Sequence, residues 1–88
     1  YTYVLKSLKN NELYIGWSDD LRARIYKHNI GEVDATRHRL PMKLVYYEAY
    51  LSSKDAKRRE KYLKTGMGKC DLRRRLSSSL ANLGGLTG

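Results

Sequence analysis

Two strand-like runs at the start of the chain, separated by a short turn signal, restrict the fold more than any other feature. Residues 1–8 (YTYVLKSL) are rich in Tyr, Thr and Val, which favour strands. Residues 9–11 (KNN) are typical of a turn, and residues 12–17 (ELYIGW) return to strand character. The pattern therefore predicts a β-hairpin.

The length of the hairpin loop decides which side chains share a face of the sheet. With an even number of loop residues, Tyr3 and Tyr14 lie on the same face, because odd positions of the first strand then match even positions of the second. Gly16 beside them would leave that face open. With an odd number, Tyr3 and Tyr14 lie on opposite faces, so the shared face is a conditional prediction.

A helix start follows the hairpin. Residues 18–20 (SDD) supply a capping side chain and acidic groups that suit the positive end of a helix dipole. The predicted helix covers residues 21–28. Arg24 and His28 are four residues apart, so we expect both to project from one face of this helix.

The rest of the chain gives one more strand and two more helices. The predicted segments are, in order, a loop over residues 29–41, a strand over residues 43–49, a helix over residues 54–64 ended by Gly66 and Gly68, and a short helix over residues 71–76. Residues 77–88 are rich in Ser and Gly and are expected to be a flexible tail.

The element order β-β-α-β-α-α predicts an α+β fold with a small three-stranded, mainly antiparallel sheet flanked by helices. Residues 1–76 are enough for one domain and no more. The sequence has eight tyrosines and no Phe, so tyrosine supplies most of the aromatic bulk. Those expected to be mainly core and rim residues are Tyr46, Tyr47, Tyr50 and Tyr62.

The charge balance points to a polyanionic partner. The chain has 18 Lys and Arg against 9 Asp and Glu, a formal net charge of +9. Such a chain binds nucleic acid readily, because neutralising phosphates releases counterions. A membrane surface is an alternative partner, but no apolar run approaches the length of a membrane span, and we expect no membrane association. The single cysteine, Cys70, suits a reducing, cytoplasmic setting.

The basic residues concentrate in the last third of the chain and in the loop over residues 29–41. Phosphate contacts from such groups position nucleic acid without reading its sequence, so we expect recognition by shape. Trp17 is expected either to stack on a base or simply to pack. The predicted nucleic-acid contacts are Trp17, Arg37, Arg39, Lys57, Arg58 and Lys64.

A set of ordered residues resembles the GIY-YIG nucleases. The second strand carries the motif Tyr14-Ile15-Gly16, and the other matching positions, at the family's spacings, are Tyr3, Arg24, His28 and Glu60. The resemblance covers roughly residues 1–76 and is closest to the small stand-alone bacterial members of the family.

Two positions depart from the family pattern. The first motif is Tyr1-Thr2-Tyr3 instead of Gly-Ile-Tyr, so only its last residue is kept. Trp17 stands where the excision-repair members have a Lys.

The resemblance implies a metal-dependent reaction on a phosphodiester. Glu60 would be the one protein ligand of Mg²⁺ or Mn²⁺, which is chemically sufficient because Mg²⁺ often keeps most of its waters. Tyr14 would position or deprotonate the attacking water, and Tyr3 would hydrogen-bond within the same cluster. Arg24 would hold a phosphate oxygen, and His28 would contact phosphate or shuttle a proton.

Each of these residues also has an ordinary structural interpretation. Glu60 would be a solvated helix residue paired with Lys57 or Lys64, and the tyrosines would pack on the sheet. Arg24 would lie on a solvated helix face.

The leading expectation is a DNA endonuclease, directed by DNA structure and acting in repair or processing. We expect a bacterial-type cytoplasmic monomer without a small-molecule cofactor, and RNA is left open as a target. The alternative is a nucleic-acid-binding module with little catalysis. A third interpretation is a docking domain for an acidic protein.

Overall fold

The computed structural model describes residues 1–84, which contain three strands and four helices. The strands are β1 (Thr2–Ser7), β2 (Leu13–Trp17) and β3 (Met42–Glu48), and the helices are α1 (Leu21–Asn29), α2 (Ser53–Leu63), α3 (Gly66–Arg75) and α4 (Ser77–Gly84). None of these helices is long and apolar enough to cross a membrane. The predicted α+β class with a three-stranded antiparallel sheet is confirmed.

The sheet has the order β2-β1-β3, with both neighbours antiparallel to the central β1. In the hairpin, Tyr3 pairs with Gly16 and Leu5 pairs with Tyr14. Tyr3 and Tyr14 therefore share a face, as the even-loop alternative predicts. The turn includes Asn11 with a φ of 64°, a left-handed conformation that Asn adopts more readily than most residues.

Helix α1 covers the sheet face that carries these tyrosines. Its N-cap is Asp20, whose side chain accepts a hydrogen bond from the Ala23 amide, as the acidic start predicts. Leu21 and Ile25 pack against the core cluster around Tyr3. This packing sets the orientation of α1, so that the side chains of Arg24 and His28 also lie beside the tyrosines of the sheet.

The other sheet face packs against α2 and α3. The buried core residues on this side are Val4, Ile15, Leu63, Leu72 and Leu76. Burying such aliphatic side chains stabilises the fold by about 1.5–3 kcal/mol each. This core fixes α2 across the sheet and so sets the position of the residues on that helix.

The junction of α2 and α3 corrects one prediction. Gly66 and Gly68 were expected to end the second helix, but α2 ends at Leu63 and Gly66 begins α3. A Cβ atom at position 68 would lie 2.1 Å from the backbone oxygen of Tyr62, so only glycine allows the two helices to meet so closely. The third helix is accordingly longer than the predicted residues 71–76.

Helix α4 is a second correction, because Ser77 was expected to begin a flexible tail. Leu80 packs against the core, and its backbone oxygen accepts a 3.2 Å hydrogen bond from the Lys6 ammonium. These contacts hold the first turn of α4 against the sheet. The remaining residues of the predicted tail, 85–88, lie outside the described residues, and the domain boundary at residue 76 stays a prediction.

Candidate active site

A buried tyrosine lies at the centre of the candidate site. Tyr3 is 1% exposed, and its hydroxyl lies 2.9 Å from Nε2 of His28. The opposite strand makes room for the ring at Gly16, where a Cβ atom would lie 2.6 Å from the Tyr3 hydroxyl oxygen. The glycine that was expected to leave this face open therefore provides the space that the Tyr3 side chain fills.

Arg24 and Tyr14 join Tyr3 from two other elements. The guanidinium of Arg24 lies near the hydroxyls of Tyr3 and Tyr14, and the interaction with Tyr3 raises the pKa of Arg24. The Tyr14 ring lies 5.0 Å from the His28 ring and 6.4 Å from the Tyr3 ring, measured between centroids. Strands β1 and β2 and helix α1 thus bring together four of the residues predicted for the site.

His28 lies behind Tyr3, fully buried, and contacts no solvent. Its Nδ1 atom lies 2.7 Å from the Thr36 hydroxyl oxygen. Burial and the positive charge of Arg24 lower the His28 pKa to about 4, so the ring is neutral at neutral pH. This position favours a role behind the tyrosine over the direct phosphate contact that was one of the two predicted roles.

Tyr3 keeps its proton at neutral pH. Burial raises its pKa above the ordinary value of 10, and the interaction with Arg24 only partly opposes this effect. Tyr3 is therefore suited to donate a hydrogen bond and is a poor base.

Glu60 approaches the cluster from α2. Its side chain is 18% exposed, and among the described residues its hydrogen-bond partner is Lys64, at 3.0 Å. The Glu60 charge is the smallest of the causes that raise the pKa of Tyr3, so the carboxylate lies in the neighbourhood of the phenol without a hydrogen bond to it. The name "Tyr3 cluster" is used below for Tyr3, Tyr14, Arg24, His28 and Glu60.

The departure at Thr2 has a structural explanation. Thr2 is buried, and its hydroxyl donates a 2.8 Å hydrogen bond to the backbone oxygen of Ala56 in α2. Ala56 lies one turn before Glu60 on the same helix. A threonine at this position therefore ties β1, which carries Tyr3, to the helix that carries the carboxylate.

Trp17 also contacts α2. The Lys57 ammonium lies 4.6 Å from the centroid of the Trp17 ring, within the range of a cation–π interaction. The structure thus pairs two of the predicted nucleic-acid contacts with each other, at the end of β2 next to the Tyr3 cluster.

Most of the other predicted nucleic-acid contacts form ion pairs within the chain. Arg37 pairs with Asp34 at 3.4 Å, and Lys64 pairs with Glu60. Exposed pairs of this kind contribute at most about 1 kcal/mol, so phosphates can compete for these cations.

Arg39 and Arg58 are less well placed. Arg39 pairs with Glu12 at 3.1 Å, and only 19% of its side chain is exposed. Arg58 pairs with Asp55 at 2.8 Å and lines a groove with Tyr50 and Tyr62, a different groove from the Tyr3 cluster.

Two features were missed by sequence reasoning. Thr36 gives no sequence signal, because a buried threonine in a loop cannot be told from an exposed one until the loop is folded. Lys69 and Arg73 belong to the basic last third of the chain, but no groove was predicted for them. They line an open groove of about 280 Å³ with Glu12, Leu13 and Ile15. The i, i+4 spacing of Lys69 and Arg73 is the one signal that could have indicated a shared face.

Comparison with known families decides the classification of the chain. The family model described as the GIY-YIG catalytic domain matches residues 1–71. The chain belongs to the GIY-YIG family. The matched residues include every member of the Tyr3 cluster, and membership places the chain among nucleases, which act on nucleic acid.

The similar curated proteins are bacterial. A UPF0213 protein of Clostridium perfringens is 45% identical over 65 residues, covering 73% of this chain and 69% of that protein. A UPF0213 protein of Staphylococcus haemolyticus is 42% identical over 66 residues, covering 74% of this chain and 79% of that protein. No solved structure matches the chain.

Proposed function

We propose that this GIY-YIG chain is a metal-dependent endonuclease that hydrolyses phosphodiester bonds in DNA, directed by DNA structure and acting in repair or processing. The observation that carries this proposal is the meeting of Tyr3, Tyr14 and Arg24, from three separate elements, beside a carboxylate with a lysine partner. A protein that only binds nucleic acid has no need for a carboxylate among its cations, whereas hydrolysis needs one.

Arg24 supplies positive charge where a phosphate would sit. Hydrolysis places extra negative charge on the oxygens of the phosphate, and a guanidinium stabilises that charge with hydrogen bonds in fixed directions. Polar interactions with the hydroxyls of Tyr3 and Tyr14 favour this position of the Arg24 side chain before substrate binds. Less conformational entropy is then lost when the phosphate arrives.

The two tyrosines have different tasks. Tyr3 is buried with a raised pKa, and its hydroxyl forms a hydrogen bond with Nε2 of His28 inside the cluster. Tyr14 is more exposed and lies on the edge strand β2, where an attacking water can reach its hydroxyl. We assign to Tyr14 the positioning of that water, through a hydrogen bond that the Tyr14 hydroxyl oxygen accepts.

His28 serves as a fixed, neutral support for Tyr3. With a pKa of about 4 it does not take a proton from a phenol whose own pKa is above 10. The proton shuttle is therefore the weaker of the roles considered for His28, and orientation of Tyr3 is the stronger.

Glu60 fits the role of the single protein ligand of Mg²⁺ or Mn²⁺. Within residues 1–84, no group of three or more His, Cys, Asp or Glu side chains is gathered to hold a metal ion. A partly exposed carboxylate suits Mg²⁺ nonetheless, since this ion retains most of its waters and often uses one or two carboxylates. When bound, the metal would stabilise negative charge on the phosphate and on the leaving oxygen.

Nucleic acid would reach the Tyr3 cluster along the free edge of β2. Lys57 and Trp17 lie at one end of this strand, and Lys69 and Arg73 lie beside Leu13 and Ile15. Cations on this edge contact phosphates and supply affinity without base-specific hydrogen bonds. This arrangement supports recognition of DNA shape.

The test is a cleavage assay on end-labelled linear, nicked, flapped and branched DNA, with a matching RNA hairpin, in Mg²⁺ or Mn²⁺. Glu60→Gln removes the carboxylate charge and keeps its shape. Glu32→Gln makes the same change at an exposed position after α1 and is the matched control. We expect cutting by the parent and by Glu32→Gln, and none by Glu60→Gln or after EDTA.

The outcomes separate the candidate functions. Cutting that survives in Glu60→Gln or in EDTA would rule out the proposed metal site. Absence of cutting on every substrate, with salt-sensitive DNA binding intact in the parent, would leave a binding module. Cutting of the RNA hairpin alone would replace DNA as the substrate.

A further inference from the structure

A line of three buried side chains leads from the loop after α1 to the Tyr3 hydroxyl. Thr36 Oγ1 lies 2.7 Å from Nδ1 of His28, and Nε2 of His28 lies 2.9 Å from the Tyr3 hydroxyl. Thr36 and His28 are both 0% exposed, so water does not substitute for either partner. The loop holds Thr36 through two backbone hydrogen bonds, from Thr36 to Val33 and from Arg39 to Thr36.

A neutral histidine carries one N–H, so this line has two possible directions. In one, Nδ1–H donates to Thr36 and Nε2 accepts the Tyr3 proton. In the other, Thr36 donates to Nδ1, and Nε2–H donates to the Tyr3 oxygen. The two directions differ in where the Tyr3 proton points.

Arg24 selects between the two directions. A guanidinium has only N–H donors, so Arg24, which interacts with the Tyr3 hydroxyl, is favoured by lone pairs of the tyrosine oxygen that face it. If Nε2–H also donated to that oxygen, the Tyr3 proton would have to point away from both neighbours. When Tyr3 donates to Nε2 instead, the lone pairs of its oxygen stay available to Arg24, and the one proton without a partner in the line is that of the Thr36 hydroxyl, at the end of the line away from Tyr3.

We propose that Thr36 is a positioning residue that holds His28 in its Nδ1–H form, so that the Tyr3 hydroxyl donates inward and its oxygen faces Arg24. Thr36 is the hydrogen-bond acceptor that makes this form favourable in a buried site, because an Nδ1–H without an acceptor is costly there. The catalytic consequence rests on the proposed nuclease function, whereas the state of the histidine does not.

The direct test is NMR of the parent protein with ¹⁵N-labelled histidine. Long-range ¹H–¹⁵N correlation distinguishes a protonated ring nitrogen from an unprotonated one, and exposed His38 provides an internal reference. At neutral pH we expect Nδ1 of His28 to be protonated and Nε2 to be unprotonated. A parent protein with Nε2 protonated would overturn the proposal without any need for variants.

Variants test the part played by the hydroxyl. Thr36→Val keeps the shape of the side chain and removes the acceptor, whereas Thr36→Ser keeps the acceptor. We expect Thr36→Val to lose the pure Nδ1–H signature and Thr36→Ser to retain it. An unchanged signature in Thr36→Val would show that Thr36 does not set the tautomer.

Cleavage kinetics add a readout that a purely structural role would not give. Partners that orient a metal-ligating histidine change metal affinity or activity about 10-fold to 100-fold, and the lower end of that range is the expected scale for a histidine that positions another residue. We expect kcat to fall about 10-fold in Thr36→Val with KM little changed, and to recover in Thr36→Ser. Equal losses in both variants would contradict the positioning role. If the parent cuts no substrate, the nuclease proposal fails, and the NMR result still decides the tautomer.

Discussion

Helix α2 separates two polar clusters that are built from the same kinds of residue. On one side is the Tyr3 cluster, with Glu60 as its carboxylate. On the other side, Glu48 at the end of β3 accepts hydrogen bonds from Tyr46, Tyr50 and Arg59. Arg59 and Glu60 are neighbours in the sequence, and α2 directs them to opposite clusters. The name "Glu48 cluster" is used for Tyr46, Glu48, Tyr50 and Arg59.

The two carboxylates differ in how completely they are satisfied. Both oxygens of Glu48 have partners, and the Arg59 nitrogen lies 3.0 Å from one of them. Burial alone would raise the Glu48 pKa, but hydrogen bonds from the two tyrosines and Arg59 outweigh it, and the pKa is lowered. Glu60 pairs with Lys64, a half-exposed lysine. A satisfied carboxylate stabilises the fold, and an incompletely satisfied one is free to bind a metal.

The largest expected difference between the clusters is in catalysis. Tyr14→Phe should lower the cleavage rate about 100-fold or more, because it removes the group assigned to the attacking water. Tyr50→Phe removes a hydroxyl that is bound to Glu48 and whose pKa, raised to about 12 by burial and by Glu48, keeps it protonated. Single-turnover cleavage by Tyr50→Phe should stay within about twofold of the parent. Similar losses in both variants would remove the distinction between the clusters.

Stability should show the reverse order. Glu48→Gln leaves the buried partners of the carboxylate imperfectly bonded, and we expect the free energy of unfolding to fall by roughly 1–3 kcal/mol. Glu60→Gln breaks one ion pair, whose lysine is half-exposed, and we expect a change below about 1 kcal/mol. Urea unfolding followed by the fluorescence of Trp17 measures both variants. A larger loss in Glu60→Gln would mean that Glu60 has a structural role.

The clusters should also respond to different pH ranges. The His28 pKa is about 4 in the folded protein against an ordinary value of 6.5, so the unfolded chain binds more protons between these values. The contribution of His28 to the free energy of unfolding is therefore fully present above pH 6.5. It falls as the pH falls towards 4, by about 2 kcal/mol between pH 7 and 4.5. The charged and titratable groups that face His28 are Arg24, Tyr3 and Tyr14.

Glu48 acts in a lower pH range. Its pKa is lowered below the ordinary 4.5, so its contribution is present above 4.5 and is lost as the pH falls through the folded value. His28→Gln should flatten the curve of unfolding free energy between pH 6.5 and 4.5, whereas Glu48→Gln should flatten it only below 4.5. His38→Gln, at an exposed position, is the control and should change neither range. A His28→Gln variant with the slope of the parent would refute the assignment.

Local signals in the sequence predict much of the fold and of the Tyr3 cluster. The hairpin, the acidic start of α1 and the spacing of Arg24 and His28 each depend on residues close together in the chain. The register of the hairpin then follows from the parity of its loop, which puts Tyr3 and Tyr14 on one face. The approach of Glu60 to the Tyr3 cluster was predicted only from the resemblance to the GIY-YIG family.

The features that were missed depend on contacts between distant residues. Ser77 and the residues after it have the composition of a linker, but Leu80 reaches the core and Lys6, and tertiary packing outweighs local preference. Gly68 was interpreted as a helix end because its need for close approach to Tyr62 is not visible in the sequence. The contacts of Thr36 and those within the Glu48 cluster likewise form only when separate segments of the chain meet in the fold.

The smallest expected difference concerns the cations around the two clusters. Lys69 and Arg73 line the groove at the free edge of β2, which we propose as the path of the nucleic acid. Each lost phosphate contact lowers the slope of log Kd against log salt by about 1 and weakens binding several-fold at low salt. The double variant Lys69→Ala/Arg73→Ala, measured by fluorescence anisotropy in the Glu60→Gln background to prevent cutting, should show a smaller slope and weaker binding.

Lys43→Ala/Lys54→Ala is the control, because it removes the same charge from exposed positions on β3 and at the start of α2. This variant should retain most of the slope. Equal effects of the two double variants would mean that net charge, and not the edge of β2, determines binding. The binding data would then give no reason to place the nucleic acid on the Tyr3 side of α2.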